Sequence, residues 1–262
     1  MKKLLGGLAL VALTGLFPLS AQAETSNHST NGIVEFEGEY EKEIYDPENP
    51  GTIVDPGESP STDGPLRIDF VPTLNFGRNK ITKSERLFSA NAQLFHGDTP
   101  ARGNFVQVSD YRGTGAGWTL QVRQEEQFTN NQTLNHQLKG AVLSFDSSWT
   151  NSVRPQASGP TVKKEVIRIE NIGATYTLAE AGKDKGEGTW AINFGASSEN
   201  TNGMANTLSP SLDAEGNQVL DPTFDNKPVS KNSAVTLSVP TEIMIDPVPY
   251  TTVLTWTLSE LP

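Results

Sequence analysis

From Leu66 to Leu258 apolar residues recur at every second position, in short runs separated by glycine, proline and asparagine. Leu66, Ile68 and Phe70 alternate with Arg67 and Asp69, and Val106 and Val108 with Gln107 and Ser109. Trp118, Leu120 and Val122 alternate with Thr119, Gln121 and Arg123. The pattern continues through Ala141, Leu143 and Phe145, through Val166, Ile167 and Ile169, and through Trp190, Ile192 and Phe194. It ends with Val235, Leu237 and Val239 and with the β-branched and aromatic run at 253–258. A period of two places alternate side chains on one face of a strand, and these residue types suit a pleated surface. No stretch sustains a period of 3.6; the most helical candidate is 81–95, mixed and short. Many short strands with Gly- and Pro-rich turns predict an all-β fold, an antiparallel β-sandwich or barrel-like domain.

Ahead of that body the pattern changes twice. Val34, Phe36 and Tyr40 alternate with glutamates and read as a first strand. Between Glu24 and Pro65 stand eleven acidic residues, with Lys42 as the one Lys or Arg, and from Pro47 onward prolines and glycines recur. Like charges repel and proline lacks a backbone donor, which predicts an extended, mobile, acidic Pro-rich linker. Earlier still, Lys2 and Lys3 precede an apolar run from Leu4 to Phe17, and Ala21-Gln22-Ala23 forms a small-residue cleavage site. This is the pattern of a secretory signal cut after Ala23. The run is shorter than the roughly 20 apolar residues that span a bilayer. No later segment is apolar enough, so no membrane span is expected after cleavage. The expected divisions are a signal at 1–23, a strand and linker at 24–65, and a β domain at 66–262.

Charge narrows the candidate partners. With 20 basic and 31 acidic residues the net charge is −11. Nucleic acid is excluded as a partner, because that affinity rests on Lys and Arg neutralising phosphates. Simple adhesion to an anionic wall or lipid is excluded as well. The chain has no cysteine, which removes disulfides, a lipoprotein thiol and Cys–metal sites. It ends at Glu260-Leu261-Pro262 with no hydrophobic tail, so retention on a cell is expected to be non-covalent.

Catalysis is not expected. His28, His96 and His136 are the three histidines, and neither a His-Glu-x-x-His nor a Gly-x-Ser-x-Gly segment occurs. No cofactor or metal is expected either. Asp213, Glu215, Asn217 and Asp221 lack the spacing of a helix–loop–helix calcium site and read as a solvated loop. Arg67, Arg78, Lys80, Arg86 and Arg102 read as scattered surface charge.

Two distant segments share a signature. Trp118-Thr119-Leu120 follows the glycine-rich stretch 113–117, and Trp256-Thr257-Leu258 stands almost at the C-terminus. Near the start of the β domain lies Leu66-Arg67-Ile68-Asp69-Phe70-Val71-Pro72, followed by Leu74-Asn75-Phe76-Gly77. The combination resembles the WxL surface proteins of Gram-positive bacteria (lactobacilli, enterococci and relatives), over about residues 32–262. The resemblance implies a secreted protein at the cell wall surface, attached non-covalently to peptidoglycan, often within a complex that includes a membrane-anchored protein. An alternative is an interaction or adhesin subunit that binds such a partner or a host matrix protein. The six signature residues have two readings. Trp and Leu two apart share a strand face, which favours a core role; the other reading is a stacking platform for an N-acetylated wall sugar. Asp110 and Arg112 either support a ligand from the adjoining loop or form an ion pair within a turn.

Overall fold

The computed structural model describes residues 42–84 and 86–261. The signal sequence with Ala23, and the strand expected around Val34–Tyr40, lie outside the described residues. Fifteen strands are described: β1 Leu66–Phe70, β2 Leu87–Asn91, β3 Asn104–Asp110, β4 Trp118–Gln124, β5 Val142–Phe145, β6 Ser148–Asn151, β7 Thr161–Val162 and β8 Ile167–Ile169. They continue as β9 Thr175–Ala181, β10 Gly188–Phe194, β11 Leu208–Pro210, β12 Leu220–Asp221, β13 Lys227–Pro228, β14 Ser230–Ser238 and β15 Leu254–Glu260.

Every pairing among these strands is antiparallel. One sheet has the order β1-β3-β10-β6, a second β11-β14-β5-β8 with β2 also on β14, and a third β15-β4-β9-β7. Alternate side chains of all three meet in one core. Val106 and Val108 of β3, Trp118, Leu120 and Val122 of β4, Phe145 of β5, Leu178 of β9, Trp190, Ile192 and Phe194 of β10 and Val235 of β14 all pack there. The antiparallel all-β class read from the period of two is the class observed.

The segment 81–95 is not helical. Its centre is β2, which pairs with β14 across the register Leu87↔Ser238 to Asn91↔Lys231. The strand contributes one buried residue, Ala90, so its sequence carries little apolar periodicity, and the ladder to β14 holds it extended.

The second difference concerns the expected linker. From Lys42 onward its residues belong to the same compact unit as the strands. Ile44 and Val54 pack with Phe70, Phe95, Phe105 and Ala191 in a second apolar cluster on the outer face of the β1-β3-β10-β6 sheet. A tight turn closes residues 46–52 through Asp46 N to Thr52 O at 2.8 Å and Thr52 N to Asn49 O at 2.9 Å. Asp46 and Glu48 are 3% and 4% exposed, and both face Arg102, itself 3% exposed. The repulsion expected of an acidic run is cancelled by a cation 56 residues away in sequence. Further along, Thr62 runs beside β1, its N–H on Ile68 O at 2.9 Å. We call residues 43–56 the strap.

Candidate functional site

The two signature segments are hydrogen-bonded neighbours. β15 pairs with β4 so that Leu258 lies opposite Leu120, Trp256 opposite Val122 and Glu260 opposite Trp118. Both Trp-x-Leu triplets therefore present Trp and Leu to the same side, the core side. Trp118 and Leu120 have no exposed surface. The Trp118 indole Nε1 donates to Gly186 O at 3.1 Å, which satisfies the one polar atom of the ring. Gly186 makes room for the indole, and Gly117 for the backbone at the end of β9 beside it. Gly186 has φ +77, and a Cβ there would stand 2.4 Å from Ala181 Cβ and 2.5 Å from Trp118 Nε1. Gly117 has φ +78, and its Cβ would stand 2.2 Å from Ala181 O.

Trp256 is half-buried and packs edge-on to Phe145, with centroids 6.1 Å apart and planes at 73°. Leu258 is half-buried against the same core. The opposite face of the ladder is hydroxyl- and amide-rich: Thr119, Gln121 and Arg123 on β4 beside Thr255, Thr257 and Ser259 on β15. Gln121 Nε2 donates to Thr177 Oγ1 of β9 at 3.1 Å, which fixes that amide in the face. Thr119 is half-buried and Thr257 exposed. Beyond β15 no further strand follows among the described residues, so its second backbone edge is unpaired there.

Asp110 and Arg112 lock the start of the ladder. Arg112 Nη2 lies 2.8 Å from Asp110 Oδ2 and also donates to Gly117 O at 2.8 Å, while Nη1 lies 3.0 Å from Glu260 Oε1. One guanidinium thus joins the end of β3, the turn before β4 and the end of β15. The hydrogen bond to Asp110 raises the Arg112 pKa above its ordinary value, and Glu260 adds to that.

Other charged residues depart from the surface charge expected of them. Arg67, Arg86 and Arg102 are buried. Arg67 Nε donates to Asp69 at 2.7 Å, and its guanidinium sits 5.6 Å from the Tyr111 ring centroid. Arg86 donates to the carbonyls of Thr82, Pro240 and Ile243. Arg78 and Lys80 are exposed, as expected. The Asp213 carboxylate accepts from the N–H groups of Glu215 and Asn217, and Asp221 accepts from Thr223 N, so both carboxylates serve turns.

The outer face of the β1-β3-β10-β6 sheet was missed by sequence reasoning. Gln107 holds the strap there: its Oε1 accepts from Tyr45 N at 2.9 Å and its Nε2 donates to Glu43 O at 2.8 Å. Asn151 Nδ2 donates to Pro47 O at 3.0 Å and Glu48 O at 3.2 Å. Where the strap ends its coverage, a pocket of about 490 Å³ opens between Tyr45, Gly51, Tyr111, Asn151, Arg154 and Thr189. A polar residue between two buried valines, as Gln107 is, was the available signal.

Fold and ladder define an antiparallel all-β domain whose two Trp-x-Leu strands are adjacent. Its sequence matches the family described as WxL domain surface cell wall-binding over residues 23–262, and the chain belongs to that family. Comparisons with curated proteins and with solved structures give no match.

Proposed function

We propose that this protein is a secreted, non-catalytic module that attaches without a covalent bond to peptidoglycan and works within a surface protein complex. The observation that carries the proposal is the match to a surface cell wall-binding family, which spans both Trp-x-Leu strands. The buried indole of Trp118 supports a structural part for the first signature triplet, because no face of that ring meets solvent. Contact with the wall then falls to the half-exposed Trp256, the polar face of the ladder or another surface. No helix among the described residues is long and apolar enough to cross a membrane.

The acidity of the chain sets the kind of attachment. At a net charge of −11, repulsion from wall anions opposes binding, so short-range contacts supply the affinity. Attachment strengthens as salt rises from low ionic strength to the physiological range. A second reading rests on β15, whose second backbone edge is unpaired among the described residues and suits addition of a strand from a protein partner, membrane-anchored or from host matrix.

Pull-down of the mature protein from cell envelopes, with and without prior muramidase digestion, separates the two. Release by muramidase supports peptidoglycan as the ligand. Retention that survives complete digestion assigns the contact to a protein and refutes the first reading.

A further inference from the structure

We propose that the pocket between the strap and the β3–β10–β6 face binds a carboxylate attached to a ring-bearing glycan unit, with Arg154 as its cation. This rests on the wall-binding reading and names the chemistry of one contact within it.

Arg154 shares with exposed Arg78 the lack of an ion pair among the described residues, but of the two only Arg154 lines the pocket. Arg67, Arg102, Arg112, Arg123 and Arg168 all lie in ion pairs, and Arg86 is occupied by backbone carbonyls. The Arg154 guanidinium has no partner among the described residues, although acidic residues are in excess throughout the chain. Its backbone is nonetheless held in place. Ser152 Oγ donates to Thr189 O at 2.6 Å and accepts from Arg154 N at 3.1 Å, which fastens the turn after β6 to β10. Pro155 follows and restricts the Arg154 backbone to extended conformations. The side chain then crosses Gly188, where a Cβ would stand 3.0 Å from Arg154 Nε. A cation held at a pocket mouth and left unpaired in an acidic protein is suited to a carboxylate from outside.

The rest of the pocket fits a sugar ring better than a bare ion. The phenol of Tyr45 donates to Glu43 at 2.6 Å, and that bond with burial pushes its pKa up to about 12, so it stays neutral at any physiological pH. Asp46, also in the wall, is neutralised by Arg102. Val153, 72% exposed, stands beside Arg154 as an apolar rim. Aromatic and apolar surface, fixed amides and one unpaired charged group in about 490 Å³ match the make-up of pre-formed small-ligand sites. Peptidoglycan stem peptides carry such carboxylates, and so do acidic wall polysaccharides.

The test compares wild type with Arg154→Gln and Gly51→Phe. Arg154 is exposed, and a Cβ at Gly51 meets nothing within 4 Å, so both variants keep the fold. Titration calorimetry with muramidase-released muropeptides is run beside co-sedimentation with intact sacculi. Muropeptides with amidated carboxylates, an N-acetylglucosamine oligomer and a hexuronic acid oligomer complete the probes. Wild type binds the carboxylate-bearing probe, Arg154→Gln weakens that binding about tenfold or more, and Gly51→Phe blocks it. Amidation removes the difference between wild type and Arg154→Gln. Arg154-dependent binding of the hexuronic oligomer alone supports the pocket and moves the carboxylate to an acidic polysaccharide. If sacculi retain wild type and both variants equally, the pocket assignment is overturned and wall binding stands. If wild type binds neither sacculi nor any probe, both fall.

Discussion

Replacing Arg102 by methionine tests whether the acidic strap is part of the folded domain. Arg102 grips Asp46 with two bonds, Nε to Oδ1 and Nη2 to Oδ2, each 3.0 Å, and its Nη1 lies 3.3 Å from Glu48 Oε2. Methionine fills similar space and removes the charge, leaving two carboxylates that are 3% and 4% exposed without a cation. Breaking a buried ion pair in this way costs about 3–5 kcal/mol. The lower end applies here. Asp46 keeps Asn49 Nδ2 at 3.1 Å and Glu48 N at 2.9 Å, and Glu48 keeps Ser197 N and Oγ, both at 2.6 Å. With a urea slope of about 1–3 kcal/mol/M, a loss of about 3 kcal/mol lowers the unfolding midpoint by about 1–3 M at pH 7.

The pH dependence sharpens the test. Burial alone raises the Asp46 pKa, but the bonds from Arg102, Asn49 and the Glu48 N–H outweigh it and hold the carboxyl below its ordinary value. A depressed folded-state pKa gives stability that is present above the unfolded value and lost as pH falls through the folded one. In Arg102→Met burial dominates, so Asp46 takes up a proton more readily and the variant recovers as pH falls. The gap between wild type and variant therefore narrows from pH 7 toward pH 4. Urea unfolding followed by tryptophan fluorescence measures the gap, and hydrogen exchange at the Thr52 and Val54 amides reports the strap itself. A gap below about 1 kcal/mol at pH 7, or one unchanged by acid, would refute the reasoning.

Other expectations follow from the ladder and its surroundings. Trp118→Ala removes a fully buried indole and orphans Gly186 O, costing about 3–5 kcal/mol, whereas Trp256→Ala, half-buried, costs about half as much; urea midpoints of the two variants check the ratio. Gly186→Ala is strained by its positive φ and by contact with the Trp118 indole, and loses about 2 kcal/mol or more by the same assay; an unchanged midpoint would contradict the packing described. Asp246 is held below the ordinary carboxylate range by the Thr133 hydroxyl and by the Asn135 N–H and amide. Its contribution is present at neutral pH and disappears as pH falls through that lowered value, so protection of the Asn135 amide from hydrogen exchange should be lost in acid but not in alkali.

What the sequence revealed was whatever one strand face decides. β1, β3, β4, β5, β8, β10, β14 and β15 each carry an apolar alternation, and each forms where that pattern stands. β9 was hidden because a register shift opposite Leu120/Gln121 breaks its alternation and buries the consecutive Leu178 and Ala179. Long-range partners were not legible. Nothing local says that Trp256 will lie beside Val122, or that Arg102 will neutralise Asp46 and Glu48. Arg67 was read as surface charge and Asp69, Gln107 and Ser109 only as the polar partners of an alternation, yet all four are buried in hydrogen bonds to one another and to the strap. A sheet covered on its second face by an irregular segment leaves no periodic trace.

Purified sacculi stripped of covalently attached polymers provide the most direct measurement of the central proposal. Increasing amounts of the mature protein are co-sedimented with a fixed mass of this murein, and the bound fraction is quantified. Saturable retention, stable or stronger as salt is raised to the physiological range and abolished by muramidase, is the predicted result. Folded protein that stays in the supernatant at every murein concentration would contradict it.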